Sequence, residues 1–104
     1  MESFVKQTLL YDFYGDLLTD HQKEVYEAYT LENFTLAEIA DEYGISRQGV
    51  YDLLKRCNSA LEEYESRLHL VEKFLLIKDK VRLIRESSDI TQMRSIAEEI
   101  IESL

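Results

Sequence analysis

The sequence contains no proline and only three glycines in 104 residues. A chain with so few breakers can run in long helices. No stretch alternates apolar and polar residues with the period of two that a half-buried strand needs, so the expected class is all-α. Cysteine is nearly absent as well. Cys57 stands alone, which excludes an internal disulfide, and its place inside a helical pattern predicts a reduced, buried thiol. No run of about 18 apolar residues occurs, so no membrane insertion is expected. The opening Met1-Glu2-Ser3-Phe4 lacks the basic and apolar regions of a signal peptide, and the cytoplasm is the expected location. The two histidines, His21 and His69, are far apart and belong to no metal-spaced cluster. Gly15, Gly44 and Gly49 form no phosphate-cradling loop. The pairs Glu62-Glu63 and Glu98-Glu99 read as solvated helix faces. No catalytic residue, metal, cofactor or small-molecule substrate is therefore expected. The chain reads as a binding protein and not an enzyme.

What is present is a globular composition, 45% hydrophobic and 32% charged, with a formal net charge of −9. Residues 1–60 hold five Lys/Arg against eleven Asp/Glu, and residues 61–104 hold seven against ten. Basic residues gather only between Lys73 and Arg85, with Asp79 as the single acid among them. Proteins that bind nucleic acid by neutralising phosphate usually carry a basic face. Any such contact here must be local, because the field of the whole chain repels phosphate.

The spacing predicts a first helix over about Phe4–Leu18, burying Leu10, Phe13, Tyr14, Leu17 and Leu18. Thr19-Asp20-His21-Gln22 reads as a capping box. It opens a helix to about Leu31 that buries Val25, Ala28 and Tyr29. Thr35-Leu36-Ala37-Glu38 is a second capping box, leading a short helix to Tyr43, and Gly44 sits where a left-handed residue must end it. Ser46 caps the next helix, which begins at Arg47 and meets no strong stop before Ser87-Ser88-Asp89; a break near His69 is left open. Asp89-Ile90-Thr91-Gln92 starts a last helix to about Ser103. The expected division is a helical domain over 1–60 and a helical extension over 61–104.

Leu36 to Lys55 carries the strongest signal. Ala40 is the small residue where two helices cross, Gly44 makes the turn, and Val50 pushes back under the first helix, with Ile39, Ile45 and Leu53 completing a small core. This is a helix-turn-helix over 36–55. With Leu18-Thr19-Asp20-His21-Gln22 it resembles the last DNA-binding region of bacterial sigma factors, through Glu38-Ile39-Ala40, Gly44-Ile45-Ser46, Val50 and Leu54-Lys55-Arg56. That implies a winged-helix-like DNA-binding type of fold, although the upstream regions of a complete sigma factor are missing. A closer resemblance is to the YlxM family, small helix-turn-helix proteins of Gram-positive bacteria. It rests on Tyr11-Asp12-Phe13-Tyr14-Gly15-Asp16-Leu17-Leu18-Thr19, Ser46-Arg47-Gln48-Gly49-Val50-Tyr51-Asp52, Leu61-Glu62-Glu63-Tyr64-Glu65, Leu68 and Glu72-Lys73-Phe74. The resemblance implies a role in, or regulation of, the signal recognition particle (SRP) pathway, through the particle's RNA or its targeting GTPase. The tail beyond about Lys80 lies outside it.

A motif of this kind points the N-terminal end of its second helix at its partner. Ser46, Arg47, Gln48, Tyr51, Lys55 and Arg56 are the candidate contact residues. Arg47 suits guanine and Gln48 adenine, but Asp52 shares their face, with Asp41 and Glu42 near the turn. DNA, RNA and a protein partner all remain open. Gly49 costs its helix up to about 1 kcal/mol and marks either a close approach or a packing constraint. Lys78, Lys80, Arg82 and Arg85 form a secondary basic set. Cys57, Leu61, Tyr64, Leu68, Val71 and Leu75 recur at spacings of four and three, the pattern of a coiled-coil seam. They are the expected surface of a homodimer, unless the last helix, with Ile90, Met93, Ile96, Ala97, Ile100 and Ile101, covers them within the chain.

Overall fold

A computed structural model describes the backbone of residues 2–104 and the side chains from Val5 onward. Helices account for nearly all of it: α1 (Glu2–Tyr14), a 3₁₀ turn (Gly15–Leu17), α2 (Asp20–Thr30), α3 (Leu36–Tyr43), α4 (Arg47–Leu68), α5 (Leu70–Glu86) and α6 (Ile90–Ser103). No strand occurs among the described residues. The chain forms two compact units, one ending at Leu68 and the other spanning His69–Leu104. The division falls later than residue 60 because α4 runs unbroken to Leu68.

In the first unit, α1, α2 and α3 each pack on α4. The helix boundaries follow local chemistry. Thr19 Oγ1 accepts from the Gln22 amide while Gln22 Oε1 accepts from the Thr19 amide, at 3.2 and 3.0 Å. Thr35 and Glu38 make the same reciprocal pair at 3.1 and 3.0 Å. Each box satisfies donors that a helix start leaves orphaned. Gly44 takes φ 65°, and its amide, like that of Ile45, donates back to the Ala40 carbonyl.

The core of this unit is Leu10, Tyr14, Leu18, Val25, Tyr26, Ala28, Ile39, Ala40, Val50, Leu54, Cys57 and Leu61. Several expected core residues lie elsewhere. Leu17 is 55% exposed, because α1 ends at Tyr14 and the tighter 3₁₀ turn moves the following side chains off its face. Phe13, inside α1, is exposed because it sits about 100° around the helix from the buried Tyr14. Tyr26, not Tyr29, is buried on α2, with Tyr11 stacked on it at 4.8 Å between ring centroids. The Tyr11 hydroxyl donates to Glu27, which fixes the ring. Within the motif the buried leucine of α4 is Leu54, one position beyond the expected Leu53, and Ile45 is exposed. The Tyr14 hydroxyl, on an otherwise buried side chain, donates to Glu65 Oε1 at 2.6 Å.

The second unit is a helical hairpin of α5 and α6. His69, with φ 56°, separates α5 from α4. In the connection, Ser87 Oγ accepts from the Asp89 amide and donates to Gln92 Oε1, and Asp89 Oδ1 accepts from the Thr91 amide at 3.0 Å. Lys80 Nζ reaches Glu99 Oε2 at 2.9 Å across the pair.

Candidate nucleic-acid interface

The turn between α3 and α4 sets the geometry of the candidate contact face. Ser46 Oγ accepts from the Gly49 amide at 2.9 Å, which caps α4. A Cβ on Gly49 would lie 3.2 Å from that same oxygen. The constraint on Gly49 is therefore packing against its own cap. Val50, Leu54, Cys57 and Leu61 turn α4 inward. Arg47, Gln48, Lys55 and Arg56 are exposed as a result, and Tyr51 stands 51% exposed beside them.

Asp52 modifies this face. Gln48 Nε2 donates to Asp52 Oδ1 at 3.0 Å, so the amide best suited to adenine is held by its neighbour one turn on. That bond uses one of the two amide N–H donors of Gln48, which leaves the second N–H and the amide oxygen for a ligand. The exposed Asp41 and Glu42 add two negative charges near the turn. Arg47, Lys55 and Arg56 supply the positive charge of the motif.

The other candidate residues do not assemble as the spacing suggested. Cys57 and Leu61 are 0% exposed inside the first unit. Tyr64 is half-buried with its ring 6.0 Å from that of Tyr14. The left-handed turn at His69 interrupts the repeat before Val71 and Leu75. Val71 is buried, while Leu68 and Leu75 are exposed. Cys57 and Leu61 thus serve a core in their own chain and offer nothing to a second one. Of the secondary basic set, Lys80 is bound to Glu99, Lys78 lies 5.9 Å over the Phe74 ring, and Arg82 and Arg85 lie 3.9 and 3.8 Å from Asp79 and Glu86.

One feature had no counterpart in the sequence pattern. A cleft of about 950 Å³ opens among α1, α2 and α4, walled by Tyr11, Tyr26, Tyr29, Phe34 and Leu54, and none of the exposed contact residues on α4 lines it. Gln7 Oε1 and Asn58 Oδ1, on two of its lining residues, are buried and accept no hydrogen bond.

Burial pushes the titrations of Tyr11, Tyr26 and the Cys57 thiol upward. Glu38 is held below the usual carboxylate range by its capping hydrogen bonds, and Asp16 by its contact with Lys23. All are structural effects of packing and capping. None falls on the α4 contact face.

A three-helix support with a short turn and an exposed leading end on α4 defines an all-α helix-turn-helix protein. Residues 1–102 match the UPF0122 family of helix-turn-helix proteins, described as YlxM / p13 like. The chain belongs to that family. It is 46% identical over 100 residues to a UPF0122 protein of Thermoanaerobacter sp. (strain X514), covering 96% of this chain and 86% of that one. A relative from Caldanaerobacter subterraneus is 51% identical over 85 residues, covering 82% and 73%. The UPF0122 protein YlxM of Bacillus subtilis is 38% identical over 104 residues, covering 100% and 94%. Among the described residues, no helix is long and apolar enough to cross a membrane.

Proposed function

We propose that this is a non-enzymatic regulatory protein of the signal recognition particle pathway, working in the cytoplasm. Its contact face is Ser46, Arg47, Gln48, Tyr51, Lys55 and Arg56 on α4, offered to the particle's RNA or to its targeting GTPase. The resemblance of the first helix and the motif to the YlxM family supports the pathway. The observation that carries the mode of binding is the composition of the face. It has a few exposed cations and one exposed tyrosine, with Asp52 in their midst, on a chain of net charge −9. Such a face cannot draw in duplex DNA by charge alone. It suits a shaped partner that fits Tyr51 and the two flanking cations together.

A second reading is a DNA-binding transcriptional regulator. It is favoured by the α3–turn–α4 geometry, which puts Arg47 and Gln48 at the leading end of the second helix as major-groove readers do. Fluorescence anisotropy against labelled SRP RNA and a random DNA duplex, with capture assays on the purified GTPase, separates the two. The first reading expects saturable binding to the RNA or the GTPase. Submicromolar binding to the duplex at about 150 mM salt, with neither SRP component bound, would establish the second.

A further inference from the structure

The middle of the outward face of α4 holds a carboxylate where a phosphate-binding surface would hold a cation. At about 100° per residue, the buried Val50, Leu54, Cys57 and Leu61 point inward within about 60° of one another. Gln48 and Asp52 lie nearly opposite them, about 40° apart. Lys55 and Arg56, both exposed, continue the face about one turn on. Tyr51, 51% exposed, stands between Gln48 and Asp52 in height and about 60° to the side of Gln48. The bond from Gln48 Nε2 to Asp52 Oδ1, 3.0 Å, holds the two polar side chains in one row. It uses one N–H of the amide and one lone pair of the carboxylate. Beside it remain the second N–H on Gln48 Nε2 and acceptor capacity on both carboxylate oxygens of Asp52. The row therefore offers a ligand a donor followed by two acceptors.

We propose that this row reads an unpaired guanine in a looped or single-stranded stretch of RNA. The inference rests on the RNA arm of the function proposed above and names what that RNA must present. The Watson–Crick edge of guanine runs acceptor, donor, donor: O6, N1–H and the N2 amine. It is the complement of the Gln48–Asp52 row. Adenine and cytosine each turn a ring lone pair toward the carboxylate, and uracil has one N–H between two carbonyls. Among the four bases only guanine offers the two adjacent donors that a carboxylate takes bidentately. In a duplex those donors are occupied by cytosine, so the base must be unpaired, the state in which RNA is usually read by sequence. Tyr51 supplies a ring on which a splayed base stacks. Lys55 and Arg56 are placed for the flanking phosphates. A guanidinium from a protein partner would also suit Asp52, but it would set donors against the Gln48 N–H and a positive charge beside Lys55 and Arg56. A neutral base with phosphates on its flanks satisfies all of these groups. Asp52, out of place on a surface for phosphate alone, becomes the residue that selects the base.

Fluorescence anisotropy of the full chain with a labelled RNA hairpin, one guanine in an otherwise uridine loop, tests this. Changing that guanine to adenine should weaken binding about tenfold or more, and inosine, which lacks the N2 amine, should fall between. Asp52→Asn turns one acceptor into a donor and should abolish both differences. These are ratios between loops, so the lost negative charge cannot imitate the effect. Tyr51→Ala should weaken every loop about tenfold, with Tyr51→Phe unchanged. Free GMP, the same base without a strand, should compete about a hundredfold more weakly than the loop; competition of equal strength would assign the row to a free nucleotide and overturn the RNA assignment. Equal affinity for guanine and adenine loops, no saturable binding to either, or a guanine preference untouched by Asp52→Asn would overturn the proposal. Saturable binding to SRP RNA or the GTPase in that case would leave the function proposed above standing. Guanine-dependent hairpin binding with neither SRP component bound would remove that function and keep this site.

Discussion

Two glycines of the first unit serve opposite purposes, and the difference is measurable. Gly44 has a left-handed φ of 65° but open space where a Cβ would go. Gly15 has ordinary backbone, but a Cβ there would come within 2.8 Å of the Tyr11 ring. That ring is stacked on Tyr26 and tied to Glu27, so it cannot retreat. Gly44→Ala should cost about 1 kcal/mol from backbone strain. Gly44→Asn should recover part of that, since asparagine tolerates the left-handed region. Gly15→Ala should cost about 1–3 kcal/mol from overpacking, and Gly15→Asn should be no better. Urea unfolding of the four variants tests the distinction; a rescue of position 15 by asparagine would contradict it. Arg47 and Lys55 behave differently again. They are exposed, so their joint replacement by alanine should leave the melting temperature nearly unchanged. If the partner is RNA, the slope of log affinity against log salt should fall by somewhat under two.

At the scale of elements, the capping box of α3 gives a pH signature. Glu38 titrates below its ordinary range because its carboxylate accepts from the Thr35 amide, with the Thr35 side chain beside it adding to the effect. A depressed native value means the contribution is present above the unfolded carboxylate range and is lost as pH falls through the native one. Helix α3 should therefore loosen below about pH 4. Glu38→Gln, which can still cap, should flatten this part of the stability–pH curve. An unchanged acid limb, read by denaturant titrations between pH 3 and pH 6, would remove Glu38 from the account. The same boxes show how much of the fold was readable from residues alone. Thr19/Gln22, Thr35/Glu38, Gly44, Ser46 and Asp89 encode their boundaries locally, and each stands where its chemistry puts it. Residues whose burial depends on a later turn could not be read in the same way. Leu17 fits a helical stripe, but the 3₁₀ turn after Tyr14 takes it out of that stripe. Phe13, at the edge of the stripe, is left exposed by where the neighbouring helices pack. Cys57 and Leu61 keep heptad spacing because α4 packs on its own unit, and that spacing is indistinguishable from a coiled-coil seam. The exposure of Arg47, Tyr51 and Lys55 was legible from the inward position of Val50, although the leucine that packs inward with it is Leu54 and not the expected Leu53. The Gln48–Asp52 pair depends on side-chain rotamers that residue spacing does not encode.

For the whole molecule, the charge balance decides what a random duplex will see. Arg47, Lys55 and Arg56 share the motif and its surroundings with Asp41, Glu42 and Asp52, on a chain of net charge −9. Affinity for random duplex DNA should be weaker than about 10⁻⁵ M at physiological salt. Anisotropy titration checks this, and tight, sequence-independent binding would show that the local face outweighs the global field. The solitary thiol offers a different handle on the molecule. Cys57 is fully covered, and its burial disfavours the reactive thiolate. A disulfide reagent can therefore modify it only in molecules whose helical packing has transiently come apart. The modification rate becomes a clock for that opening, read under native conditions without denaturant or an engineered probe. A bound partner that steadies α4 would slow the clock by the factor by which it populates the closed state, so one native sulfur can report both folding and binding.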